Sequence, residues 1–342
     1  MNRSENNPWL HRFAVLTALV VLALIGLGGL VTSHEAGMTV PDWPNSYGYN
    51  MFTFPISKWV GGIFYEHTHR LLASGAGLLT TILMVWLWLK ESRAWVRWLG
   101  VAAFIAVVLQ GVLGGLRVVL SENQLGIPHA ALAQLYFLLV CSLALFTSRR
   151  WKNIQAAPGG SGPRRLLLAT TILIFAQLLV AATMRHQHAG LAIPDFPLAY
   201  GKVWPDMSPD AVAGYNLRRE DFGATHPITA FQIGLQMVHR VMALLILAAV
   251  AACAWAARKT PLAKPALAWL GLIIVQAGLG AWTIWSNKAA DVATAHVVVG
   301  AISLATGGLL TIIASSRADR PGEVAENASA PSSLPRTAPQ TV

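Results

Sequence analysis

The chain of 342 residues has almost no cysteine: only Cys141 and Cys253, both inside apolar runs. Neither belongs to a CxxC pair or to a segment expected outside the membrane. A disulfide framework, a thiolate metal cage and thiol chemistry are therefore not expected. Charge is scarce too, at 12% of residues against 55% hydrophobic ones, with a mean hydropathy of +0.52. That balance excludes a soluble domain of this size, which has a surface to solvate. Acidic residues are scarcest of all, 15 against 25 Lys and Arg, for a formal net charge of +10.

What the chain has instead is hydrocarbon. Apolar stretches lie near 13–33, 67–89, 95–116, 128–147, 166–184, 232–257, 264–284 and 292–314. Each is about 20 residues, long enough to cross a bilayer as a helix. They predict an all-α polytopic membrane protein with eight transmembrane helices. The first span is too long for a signal-peptide core, and GGLVTSHEAG offers no small-x-small cleavage site, so it counts as a helix. With the N-terminus inside, most basic residues share one side, among them Arg12, Lys90, Arg93, Arg97, Arg149, Arg150, Arg164, Arg165, Arg258 and Lys259. The other side holds few, including Arg117, Arg185 and Lys288. This bias predicts cytoplasmic termini. The basicity is topological: the expected partner is the lipid bilayer, and no nucleic acid. The Pro-, Ala- and Ser-rich tail, 315–342, is expected to be disordered.

The chain repeats itself. Residues 33–48 read SHEAGMTVPDWPNSYG and residues 186–201 read HQHAGLAIPDFPLAYG, each after an apolar span. EHTHR (66–70) and QMVHR (236–240) share a final His-Arg; LQGVLGGL (109–116) answers VQAGLGAW (275–282). A histidine follows each, His129 at 19 residues from Gln110 and His296 at 20 from Gln276. Matches that keep their order along both halves indicate duplication. The expected organisation is two pseudo-symmetric four-helix bundles, 1–147 and 166–314, joined by a cytoplasmic linker, 148–165. As parallel repeats they imply a pseudo-twofold axis along the membrane normal.

Four matched histidines, His69, His129, His239 and His296, open four spans that all enter from the outer side. Each half therefore offers two imidazoles on neighbouring helices at shallow depth, the arrangement that holds an iron porphyrin through axial ligands. A structural zinc site wants four N or S ligands, and each half supplies two. Arg70 and Arg240 directly follow a candidate ligand, where a guanidinium suits an acidic haem propionate or simply snorkels to the interface. The halves differ at Glu66, three residues before His69, whose counterpart is Gln236. A carboxylate can move a proton and an amide cannot; alternatively Glu66 only pairs with Arg70. His67, His186, His188 and His226 break the repeat or fall in loops, and Asp42 and Asp195 are read as turn caps.

At EHTHR, PHAALAQ, QMVHR, TAHVVVG and the paired AGxxxPDxP loops, the sequence resembles the haem A synthase family of cytochrome oxidase assembly. The likeness spans the chain from the first to the eighth helix. It implies haem O as substrate in the N-terminal bundle and a haem b prosthetic group in the C-terminal one. Carried over by motif, Glu66, His69 and His129 form the substrate site, with His69 and His129 on its iron, and His239 and His296 ligate haem b. The implied reaction converts the C8 methyl of haem O to a formyl group by successive hydroxylations, with water as the oxygen source. The implied setting is a bacterial plasma membrane, with the haem sites near its outer face. Haem O synthase and other cytochrome oxidase assembly factors are the protein partners that reading suggests, and an oligomer is left open. The family often carries a cysteine pair in its outer loops, which this chain lacks. A competing reading is a bis-haem, cytochrome b-like electron-transfer subunit, which would want equivalent sites in both halves; a small-molecule transporter would want more polar residues at mid-bilayer.

Overall fold

The computed structural model describes residues 7–156, 163–221 and 226–318. Eight of its helices are long and apolar enough to cross a membrane. They are α1 (Pro8–Ser33), α2 (Gly61–Lys90), α3 (Ala94–Val119), α4 (Gly126–Thr147), α6 (Arg164–His186), α8 (Ala230–Ala257), α9 (Ala263–Trp285) and α10 (Ala290–Ala318). Each contains one of the eight predicted apolar stretches. Two shorter helices, α5 (Arg149–Ala156) and α7 (Pro209–Asp221), complete the α-helical set among the described residues.

Local chemistry sets several of the helix ends. Asn7 accepts hydrogen bonds from the amides of Trp9 and Leu10, and Pro8 follows it at the first helical position, where its missing N–H costs nothing. At α8, Thr229 and Gln232 form a reciprocal capping box, each side chain satisfying the other's backbone amide.

In the first half α1 packs on α2 and α4, and α3 bridges α2 and α4. In the second, α6 packs on α8 and α10, and α9 bridges α8 and α10. Each half is thus a closed ring of four helices. The rings meet through α1–α10, α4–α6 and α4–α10, a set that maps onto itself when the halves are exchanged. α4 and α10 are consequently the most buried spans, while Leu78, Leu244 and Leu267 on peripheral helices stay exposed, as lipid-facing side chains should. Small residues let the rings close up: Gly26 and Gly29 of α1 lie against Val298 and Thr294 of α10.

Four expectations need adjusting. The linker 148–165 opens with α5, a basic eight-residue helix that packs on α4 and α10; its Trp151 is buried and meets Phe146 edge-on at 4.9 Å. The loop between α6 and α8 contains α7, which starts after Ser208 with Pro209 and Asp210 and carries Arg218 and Arg219 in its last turn, where cations suit the negative end of its dipole. α2 starts at Gly61 and α8 at Ala230, so His69 and His239 stand about two turns inside their helices. α10 runs to Ala318, and the remaining tail, 319–342, lies outside the described residues.

Candidate functional site

The four matched histidines sit on α2, α4, α8 and α10, two to a ring. The His239 and His296 rings face each other at 6.4 Å between centroids and 62° between planes. Two metal–nitrogen bonds of about 2 Å, with the ring half-widths added, require a separation of about 6 Å, so one metal ion fits between these imidazoles. His69 and His129 are near enough to interact electrostatically.

A common local design surrounds them. The Gln110 side-chain amide on α3 donates to the backbone carbonyl of His129 at 2.9 Å, and Gln276 on α9 to that of His296 at 2.9 Å. Gln177 on α6 donates to the carbonyl of His239 at 2.8 Å. Four residues after Gln110 comes Gly114, where a Cβ would sit 3.3 Å from His129 Cε1; four after Gln276 comes Gly280, 3.1 Å from His296 Cε1 by the same measure. Gly28 of α1 is placed likewise, 3.2 Å from His69 Cε1. Neighbouring helices thus tether three of the histidine backbones and leave flat room for three of the rings.

The imidazole nitrogens are left with little else to do. Nδ1 of His69, His129 and His239 is buried without a hydrogen-bond partner. His296 Nδ1 faces the Gln276 carbonyl at 3.1 Å; a carbonyl only accepts, so Nδ1 carries the proton and Nε2 keeps its lone pair for a metal. Among the described residues no three His, Cys, Asp or Glu side chains gather closely enough to hold a metal ion by themselves. Two nitrogen donors per ring, space cut to the imidazoles and buried unpartnered nitrogens fit a haem, whose macrocycle supplies the remaining iron ligands.

The paired loops close over the histidine-bearing ends of both rings with the same construction. Asp42 accepts from the amides of Tyr47 and Gly48, both at 2.7 Å, and Asp195 from those of Tyr200 and Gly201, at 2.7 and 2.9 Å. Both aspartates are therefore turn caps. The Trp43–Pro44 and Phe196–Pro197 bonds are cis, and Tyr47, Gly48, Tyr200 and Gly201 all have positive φ. Burial works to raise the Asp42 carboxyl, but the Gly48 and Tyr47 amides and the Arg70 guanidinium outweigh it and hold the group below its ordinary value. Trp43 lies directly over Gly115 of α3, and Phe196 packs edge-on against Trp285 of α9 at 6.0 Å.

Arg70 and Arg240, read as partners of a haem propionate or as snorkelling to the interface, direct donors into these loops. Arg70 donates to the carbonyls of Asp42, Asn45 and Val40 at 2.6, 3.0 and 2.9 Å, and to Glu66 at 2.7 Å. Arg240 donates to the carbonyls of Asp195 and Leu198 at 2.6 and 2.8 Å. Glu66 is buried, and its second oxygen accepts from the Val40 amide at 2.9 Å and the Thr39 hydroxyl at 3.0 Å. His67 is fully buried, bonded to Ser46 at 3.1 Å and flanked by Phe54 and Trp59, so it anchors the loop. His186 closes α6, with Nδ1 against Asn123 at 3.3 Å and its ring over Gly126.

Three polar residues of the site escape motif reading. Gln177 has its signal in the sequence, a Q-x-x-x-small spacing shared with Gln110 and Gln276. Arg185 crosses between the rings to the Gly29 carbonyl and the Ser33 hydroxyl at 2.6 and 2.7 Å. Arg117 follows Gly114 by three residues on α3 and lies near His69, His129 and Glu66.

These features define an eight-span helical membrane protein with a duplicated pair of histidines beneath duplicated loops. The chain belongs to the cytochrome oxidase assembly protein family COX15-CtaA, whose sequence profile it matches over residues 11–307. It is similar to proteins named heme A synthase: 26% identical to that of Rhizorhabdus wittichii, covering 86% of this chain and 91% of the relative. The likeness to that of Hyphomonas neptunium is 26% over 93% and 95% of the two chains. That of Halalkalibacterium halodurans is 30% identical over 57% of this chain and 66% of its own.

Proposed function

We propose that this protein is a haem A synthase of a bacterial plasma membrane, oxidising the C8 methyl of haem O to a formyl group. In this reading residues 1–147 form the substrate half and residues 166–314 the half that holds haem b. The basic residues flanking the spans support cytoplasmic termini, which put both histidine pairs toward the outer face. One observation carries the reading. The two histidine pairs share one scaffold, but the first has a carboxylate, Glu66, beside it, where the second has the amide of Gln236. A duplicated electron carrier has no use for that difference.

His69 and His129 would orient the substrate through its iron, and His239 and His296 would ligate haem b. Haem b, when bound there, supplies a one-electron centre. Converting a methyl to a formyl group takes up one water-derived oxygen and releases four protons and four electrons, the latter to an electron acceptor. Glu66 is the group that moves protons or orients water at the first site. Its loop contacts hold it in place beside Arg70. The loops over both rings exclude bulk water, and the apolar flanks of the rings suit the farnesyl tail of haem O. A substrate that lives in the bilayer is best received by contact, so haem O synthase and cytochrome oxidase assembly factors are the natural protein partners.

The test is to express the chain in membranes supplied with haem O, extract the haems and separate them by mass. A formyl-bearing haem A peak, absent from the vector control, is the expected result. Haem O recovered unchanged under oxidising conditions, beside protohaem alone, would replace the synthase with the electron carrier.

A further inference from the structure

With Arg70 and Arg240 engaged by loop carbonyls, another cation is needed for an acidic ligand at the first pair. Arg185 is spent on α1, and Arg219 donates to the Leu191 carbonyl at 2.9 Å from α7, where its charge reaches Tyr200. Arg117 differs. Its Nη2 donates to Asn123 at 2.9 Å, but its Nε is buried with no partner. Among the described residues no carboxylate lies within ion-pair distance of it; the ion pairs Arg70–Glu66 and Arg93–Glu91 lie elsewhere. A largely buried guanidinium whose nearest carboxylate in electrostatic reach, Glu66, is already ion-paired with Arg70 is costly unless a ligand brings further negative charge.

Its placement says which ligand. Gln110, Gly114 and Arg117 are spaced four and three residues apart, along one face of α3. The first tethers His129, the second makes room for its ring, and the third lies one turn farther out, in electrostatic reach of both His69 and His129. Gly37 of the first loop lies against the guanidinium, where a Cβ would come 2.8 Å from Nη1. The positions seven residues after Gln177 and Gln276 are Met184 and Thr283, so neither matching position carries a guanidinium; Arg185, in electrostatic reach of His296, is bonded to α1.

We propose that Arg117 binds a carboxylate on the edge of the tetrapyrrole held by His69 and His129, making the first half selective for a free-acid porphyrin. The proposal rests on the haem-binding reading of that half. A charge-assisted bond in a dry site favours the acid strongly, while an ester offers the guanidinium only a weak neutral acceptor.

The experiment is a binding titration on the purified full-length protein in lipid nanodiscs, with haem O or its dimethyl ester as probe and the Soret band as readout. The native protein should bind the acid about tenfold or more tighter than the ester. Arg117→Gln should abolish the preference, Arg117→Lys should restore part of it, and Gly37→Ala should weaken it by displacing the guanidinium. Haem retained at His239 and His296 reports that each variant is folded. An Arg117→Gln protein that still prefers the acid overturns the proposal. If replacing His69 and His129 together leaves haem O binding unchanged, the reading of the first half fails instead, whatever Arg117 does.

Discussion

Glu66 and Gln236 make the same bond to their respective loops. Glu66 accepts from the Val40 amide at 2.9 Å and Gln236 from the Ile193 amide at 2.7 Å, each side chain seating the segment before a PDxP turn. An amide is therefore sufficient to hold the loop, and whatever Glu66 adds comes from its charge. Glu66→Gln should leave the fold and the second-half haem intact and abolish conversion of haem O. Extracted haems from membranes of the variant provide the check; an unchanged haem A yield would reduce Glu66 to a loop anchor.

Gly280 and Gly114 test the imidazole seats independently. A Cβ at either would press on a histidine ring, at 3.1 or 3.3 Å. Alanine asks the ring to give slightly; valine cannot be seated without turning it. Gly280→Val should therefore lower the haem held by His239 and His296 while sparing haem O binding at the first pair, and Gly114→Val should do the reverse. Low-spin absorption of each purified variant, read before and after haem O addition, separates the two.

Gln177 ties α6 to the carbonyl of His239, and an interhelical side-chain bond of this kind contributes about 0.6–2 kcal/mol in a membrane. Gln177→Leu should lower the melting temperature and weaken haem retention in the second half by about tenfold, the usual scale for losing a group that orients a ligand. Haem O affinity at the first pair should not move. Equal losses at both pairs would mean that Gln177 supports the whole molecule and does not specifically orient His239.

The two loops should fail at opposite ends of the pH scale. Asp42 is held below its ordinary value of 3.8, so its contribution is full above that value and disappears as pH falls through the lower folded one. Tyr200, whose hydroxyl donates to the Ala192 carbonyl at 2.5 Å, is raised by burial to about 12. Its contribution is complete below the ordinary value of 10.0 and is lost as pH rises from there toward about 12. Tryptophan fluorescence, with Trp43 as the loop's own reporter, should follow the acid transition, and Asp42→Asn should remove it. Tyr200→Phe should remove the alkaline one.

Much of this architecture is legible in the order of residues. Runs of hydrocarbon about 20 residues long locate every span, because a lipid-exposed chain satisfies its backbone as a helix. The duplicated PDxP loops and four histidines announce two copies of one site. α5 and α7 are not legible by the same rule. They are short and polar, and they form because Trp151 packs beside Phe146 and because Val212 and Tyr215 of α7 join the small core of the second loop.

The spans, the duplication and the pairing of histidines follow from composition and spacing alone. What the cations do depends instead on how the helices close. Arg70 and Arg240 follow their histidines in the chain, yet they turn toward the loops, where backbone carbonyls are held ready to accept their hydrogen bonds. Arg117 belongs to no repeated motif; it reaches His69 because α3 closes the ring between α2 and α4. Which side chains share a buried, low-dielectric space is a property of packing, and spacing along the chain does not encode it residue by residue.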